Sequence, residues 1–183
     1  QIRVTSPAGT DLVAQFDPRL HWVPCTGLYH QAGQWGNLPE GETFTCPATA
    51  EGVVAANVLG DYFSEKYGVL STPVFFHIAH GEISQVTGAN QALVNEVLTY
   101  LSSAENGRRM GEFAIGTNTA LTGLTGNLLQ DEKLPGVHIA FGDGYPQETG
   151  ATWSSAIHVD VIPTTCTIEV DGRIIMIDGK FTF

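Results

Sequence analysis

Apolar and polar positions alternate over short stretches through most of this chain, and the alternation breaks at Gly, Pro and Asp-Gly pairs. Period-two alternation over a few residues is the mark of half-buried strands. Residues 2–5 (IRVT) and 11–16 (DLVAQF) flank SPAG and predict a hairpin. ETFTC at 42–46 predicts a strand, while 18–41 is irregular and rich in Gly, Pro, Trp and His. A connection that long is either functional or holds short elements of its own. EGVVAANVLG at 51–60 suits helix or strand by composition, and its length and bounding glycines favour strand. TPVFFHIAHGEISQVTG at 72–88 predicts two strands turning at His80-Gly81. Only NQALVNEVLTYLSSA (90–104) changes period, with apolar residues at 93, 94, 97, 98 and 101 on one helical face and Asn90 as N-cap.

Further on, GEFAIGTN predicts a strand, GNLLQDEK a short helix, and GVHIAFG and AIHVDVI two buried strands. Asp171-Gly172 and Asp178-Gly179 are tight-turn signals that make the C-terminus a three-stranded meander. The expected fold is α+β, a mixed and largely antiparallel sheet with one or two packed helices, in a single domain over residues 1–183.

Composition narrows the partners. Lys and Arg number 8 against 19 Asp and Glu, a formal charge of −11. That balance argues against nucleic acid and anionic membranes, which need clustered cations, and mildly favours cationic ligands such as a free amino terminus. No run nears the ~18 apolar residues of a membrane helix. The first residues carry neither a basic leader nor a long apolar segment, so no signal peptide is expected. Cys25, Cys46 and Cys166 are scattered without a CxxC, which fits a reducing compartment and a cytoplasmic location.

Candidate chemistry gathers at strand ends beside turns, where a rigid scaffold offers side chains to a site. In SSAIHVDV, His158 and Asp160 point to one face and Val159 to the other. The pair suits either two metal ligands or a His–Asp hydrogen bond at a sheet edge. His138 opens an apolar strand that runs into a Gly-rich turn and Tyr145. Glu112 enters an apolar strand, where a carboxylate is costly unless paired, and Glu42 sits where a turn becomes a strand beside Glu40. Two glutamates, two histidines and an aspartate suit two hydrolytic divalent cations, Zn²⁺, Co²⁺ or Mn²⁺. Glu132 and Lys133 read as an ordinary helix ion pair. His21, His30 and Trp35 read as surface or packing residues, and His77 and His80 as structural.

NLPEGETFTCP, GEFAIGTN, TGNLLQDEK, VHIAFGDGYP, SAIHVD and VDGRIIMIDGKF, in that order, resemble the metalloaminopeptidases of the aminopeptidase T and aminopeptidase S type across essentially the whole chain. The resemblance implies metal ligands at Glu42, Glu112, His138, His158 and Asp160, and an active-site tyrosine at Tyr145. It departs from the family in Val159, where His-Trp-Asp is common, in a threonine missing before the strand of His138, and in a short interval from Tyr145 to His158. It also implies a preceding N-terminal domain that this chain lacks, and it leaves room for a homodimer.

The implied reaction is release of the N-terminal residue from a peptide with a free amino terminus. Tyr145 would hydrogen-bond the developing oxyanion, and Glu42 or Glu112 would double as proton shuttle. Relatives of the implied fold include dihydroxypyridine dioxygenases, in which His138, His158 and Asp160 would form a mononuclear Fe(II) triad. A third alternative is a metal-binding domain that is inactive without its missing half.

Overall fold

Every pair of neighbouring strands in this protein runs antiparallel. A computed structural model describes residues 1–183, the side chain of Asp61 excepted. The elements follow in chain order: β1 (Ile2–Thr5), β2 (Asp11–Gln15), β3 (Val23–Cys25), β4 (Glu42–Thr45), β5 (Thr49–Leu59), α1 (Asp61–Tyr67), β6 (Val74–Ala79) and β7 (Glu82–Thr87). After these come α2 (Gln91–Leu101), β8 (Met110–Gly116), α3 (Leu128–Asp131), β9 (Gly136–Gly142), α4 (Pro146–Thr149), β10 (His158–Pro163), β11 (Thr167–Val170), β12 (Arg173–Ile177) and β13 (Lys180–Phe181).

The strands join into one sheet ordered β13-β12-β11-β1-β2-β5-β10-β9-β8-β4-β3, with β6 and β7 branching from β5. Long β5 is the hub. Residues 49–53 of it pair with β2, 52–56 with β6, and 56–59 with β10. A strand serving three neighbours must bend, and the sheet curls around a core that includes Leu12, Val54, Phe76, Val97, Phe113, Phe141 and Ile168.

The expected α+β fold with a mixed sheet does not hold. Strands take up 39% of the chain and helices 14%, so the molecule is a curled antiparallel half-barrel with a few small helices. The physical reason is helix length. Apart from the 11-residue α2, the helices are 4 to 7 residues long and present too little surface to form a layer. Strand β3 and helices α1 and α4 had no legible signal.

Local chemistry set the remaining elements as the sequence pattern suggests. The Asn90 side chain accepts a hydrogen bond from the Leu93 amide at 3.1 Å and caps α2, which buries Leu93, Val94, Val97 and Leu101. Both Asp-Gly pairs take positive φ at both residues, 45° and 84° at Asp171-Gly172 and 48° and 74° at Asp178-Gly179. That is the turn whose twist matches two joined antiparallel strands. No helix among the described residues is long and apolar enough to cross a membrane.

Candidate metal centre

Four adjacent strands build the site through their register. Directly paired residues of antiparallel strands project to the same face. Glu42 of β4 pairs with Gly116 of β8, and Ala114 of β8 pairs with His138 of β9. Glu112 and Asp160 both pair with Ala140, from opposite sides, and His158 of β10 pairs with Gly142. Glu42, Glu112, His138, His158 and Asp160 therefore share one face, with Ala114, Gly116, Ala140 and Gly142 between them. Ala114 and Ala140 put only methyl groups between the five larger side chains, while Gly116 and Gly142 have no room for a Cβ because the backbone oxygens of Leu134 and Ile157 lie against them. Val159 faces the other way and is buried in the core, as strand alternation predicts.

The carboxylate of Glu112 lies between the two imidazoles. Its Oε1 is 3.1 Å from His138 Nε2 and its Oε2 is 3.4 Å from His158 Nε2. Glu42 Oε2 approaches His138 Nε2 at 3.3 Å, and Asp160 Oδ1 approaches His158 Nε2 at 3.6 Å. Each imidazole thus meets the shared glutamate and one carboxylate of its own. The far nitrogen of His158 is held by the Asp143 carbonyl at 3.1 Å, which orients the ring. Donor atoms of Glu42, Glu112 and His138 lie within 4.8 Å of one another, as do those of Glu132, His138 and Asp160.

A divalent cation fits this donor set. One Nε2–H can be given well to one acceptor, yet two carboxylates face His138 Nε2, and buried Glu42 Oε2 has no hydrogen-bond partner among the described residues. Concentrated buried negative charge calls for a cation. In the metal-free protein protons supply part of it. Burial opposes the charged form of His138, but Glu112, Glu42 and Asp160 outweigh burial and lift its pKa to about 9. His158 rises to about 9 as well, burial being outweighed by Asp160 and Glu112. Asp160 shows the reverse: burial works to raise its pKa, and the two imidazoles bring it below the ordinary carboxylate value.

A lysine completes the cluster. Lys133 is only 1% exposed, and its Nζ lies 2.7 Å from Glu42 Oε1, 2.6 Å from Glu132 Oε1 and 3.7 Å from Glu40 Oε2. Burial disfavours its charge, but Glu132 and Glu42 more than compensate and its pKa is raised. The expectation of an ordinary helix ion pair at 132–133 fails, because both residues turn inward beyond the end of α3. Glu132 is pushed up to about 7 by burial, and then by the charge of Asp160. Cys25 lies close to Glu40 and Glu42, and burial, then those carboxylates, pushes its thiol up to about 12. It is therefore a protonated neighbour at neutral pH.

Tyr145 adopts a left-handed backbone, φ 49° and ψ 61°, at the start of α4. Thr149 Oγ1 donates within that turn, which packs the Tyr145 ring 4.8 Å from the His158 ring and 5.6 Å from Phe44. Burial first, then Glu112 and Asp160, raises its phenol pKa and keeps it a donor. Tyr145, His158, Asp160 and Glu132 line a cavity of about 510 Å³, with Tyr62 and Leu129 among its apolar walls. A larger cavity of about 700 Å³, between the 119–124 loop and the C-terminal strands, carries neither histidine nor tyrosine. The smaller one is the candidate site by its chemistry. Of the other residues weighed, His21, His30 and Trp35 are exposed, His77 meets Thr87 at 3.2 Å, and His80 pairs with Glu51.

The model of the family described as NicX: 2,5-dihydroxypyridine 5,6-dioxygenase matches residues 1–183. Wild-type AmpT from Thermus thermophilus superimposes with a TM-score of 0.75 at 26% identity, over 100% of this chain and 49% of that one. The 2,5-dihydroxypyridine dioxygenase of Pseudomonas putida KT2440 gives 0.77 at 19% identity, over 99% of this chain and 54% of that one. This chain spans about half the length of both. No curated protein matches the sequence.

Proposed function

The chain belongs to the NicX family over residues 1–183, and we propose that its site is a dinuclear centre hydrolysing the N-terminal peptide bond of peptides. The observation that carries this reading is Glu112, whose two oxygens serve two different histidines at 3.1 and 3.4 Å, each histidine having a further carboxylate. Charge supports it. Glu40, Glu42, Glu112, Glu132 and Asp160 against Lys133 leave four negative charges, the complement of two divalent cations. The likeness to AmpT supports it further.

Glu42, Glu112, His138, His158 and Asp160 would hold the ions. Bound there, Zn²⁺, Co²⁺ or Mn²⁺ supplies Lewis acidity that acidifies water and polarises a carbonyl. The protein does the rest. Lys133 captures one oxygen of Glu42 and turns the other towards His138. Tyr145 presents its hydroxyl in the cavity as a donor for the oxyanion of the scissile carbonyl. The acidic surroundings attract the free amino terminus of a peptide.

A second reading is favoured by the family's description and by the likeness to the P. putida dioxygenase: one Fe(II) on His138, His158 and Asp160, cleaving a dihydroxypyridine ring with oxygen. In that case Glu42 and Glu112 would be buried carboxylates with no ion of their own. Metal analysis after reconstitution separates the two. Two ions per chain, with hydrolysis of aminoacyl-p-nitroanilides, are expected; one iron per chain with oxygen-dependent turnover would overturn the hydrolytic reading.

A further inference from the structure

The cavity beside the metal centre has two chemically different sides, and we propose that its aromatic side selects peptides whose first residue carries a large apolar or aromatic side chain. The inference rests on the hydrolytic reading above and names the substrate class of that site. Strands supply the polar side of the cavity. The apolar side comes from three helices: Tyr62 and Phe63 of α1, Tyr100 of α2, and Leu128 and Leu129 of α3.

This wall is fixed before any substrate arrives. The Gly60 amide donates to the Asp160 carbonyl at 2.7 Å, so α1 starts against the strand of Asp160 and Tyr62 follows two residues later. The Tyr62 hydroxyl donates to Glu96 of α2 at 2.6 Å. Buried Phe63 packs edge-on against both Tyr62 and Tyr100, with ring centroids 5.2 and 5.9 Å away. Yet Tyr62, Tyr100 and Leu129 remain 52%, 39% and 36% exposed. Apolar surface held in place this way gains most when an apolar group covers it, because little ordering is left to offset the gain. The two tyrosines also border a second cavity of about 480 Å³, which gives a bulky group room to lie across them.

The connectivity of a peptide decides which side chain meets the wall. Its first Cα stands between the free amine and the scissile carbonyl, and hydrolysis holds both of those at the ligand face. The side chain on that Cα therefore leaves towards the remaining walls of the same cavity, which are mostly apolar. Positive charge on it finds no call there. Glu96, the carboxylate beside the tyrosines, already accepts from Tyr62, Lys66 and Tyr67.

The test uses the chain reconstituted with Zn²⁺ or Mn²⁺, measuring metal content and kcat/KM on leucyl-, phenylalanyl-, alanyl- and lysyl-p-nitroanilide, whose leaving group is the same. The leucyl and phenylalanyl substrates should exceed the other two by about 10- to 100-fold. Tyr62→Ala should keep its metal and lower the leucyl-to-alanyl ratio about 10-fold, while Tyr62→Phe, which retains the ring, should preserve it. General damage would lower every substrate alike and leave the ratio unmoved. Tyr100→Ala carries the same test where Tyr62→Ala does not fold. A wild-type chain that hydrolyses all four alike, or favours the lysyl substrate, overturns the inference and leaves the hydrolytic reading standing. So does an unmoved ratio in the folded alanine variants. A wild-type chain that holds one ion, or hydrolyses none of the four, sinks the hydrolytic reading and this inference with it.

Discussion

At the scale of single residues, Tyr145 combines a left-handed backbone, a ring tilted against that of His158 and a phenol kept protonated by its surroundings. Non-glycine residues at such φ/ψ persist where the structure over-determines them, and here Thr149 does so by bonding the Gly144 and Tyr145 carbonyls. The backbone from which the ring projects is then fixed by the turn and not by the ligand set. Tyr145→Phe should retain full metal content and lose about 10²- to 10³-fold in kcat, the usual effect of one oxyanion donor. Full activity in that variant would remove its role. Glu112, His138, His158 and Asp160 were legible as candidates because each interrupts an apolar run or alternates with core residues, whereas Glu132 read as half of an ordinary ion pair. Lys133 was not legible either. A lysine beside a glutamate normally faces water, and its burial depends on Glu42, 91 residues away in sequence. Sequence spacing carries no trace of that meeting.

At the scale of elements, turns and periods were the readable features. Both Asp-Gly turns, the hairpin at His80-Gly81 and the capped α2 are local: their causes lie within a few residues of their effects. Asn90→Ala removes the one side-chain bond at the start of α2 and should cost about 1 kcal/mol. For a chain of this size that lowers Tm by roughly 2–4 °C, with metal content unchanged; thermal denaturation of the two proteins checks it. Helix α1 was illegible for the opposite reason. Seven residues cannot hold a helix alone, and α1 is fastened by Glu96 of α2, which accepts from Tyr62 at 2.6 Å, Lys66 at 2.8 Å and Tyr67 at 2.7 Å. The fold class went wrong at the same scale. One clear helix among many strands suggests a layered α+β domain, whereas the sheet closes most of its own core by curling around β5.

At the scale of the whole molecule, the protein carries a formal charge of −11 and concentrates part of it in one buried cluster. The stability of that cluster depends on which cations fill it. Without metal, His138 and His158 are raised from 6.5 to about 9, and Glu132 from 4.5 to about 7. Groups raised on folding contribute stability that is complete below their unfolded values and is lost as pH climbs through the folded ones. The metal-free protein should therefore weaken between about pH 4.5 and 7 as Glu132 ionises, and again between about pH 6.5 and 9 as the two histidines lose their protons. Asp160, depressed on folding, acts in the acid range and has the opposite sign. Metal binding runs the other way, because an ion must displace the imidazole protons, and its affinity rises with pH until about 9. An ion at 100 times its Kd adds about 2.7 kcal/mol, or roughly 5–10 °C in Tm for a chain of this length. Melting the metal-loaded and chelator-treated proteins side by side should show a gap that widens steadily from pH 6.5 to 9, with proton release on titration by metal at pH 7. A gap that stays constant over that range would mean the ions do not bind where the two histidines meet Glu112.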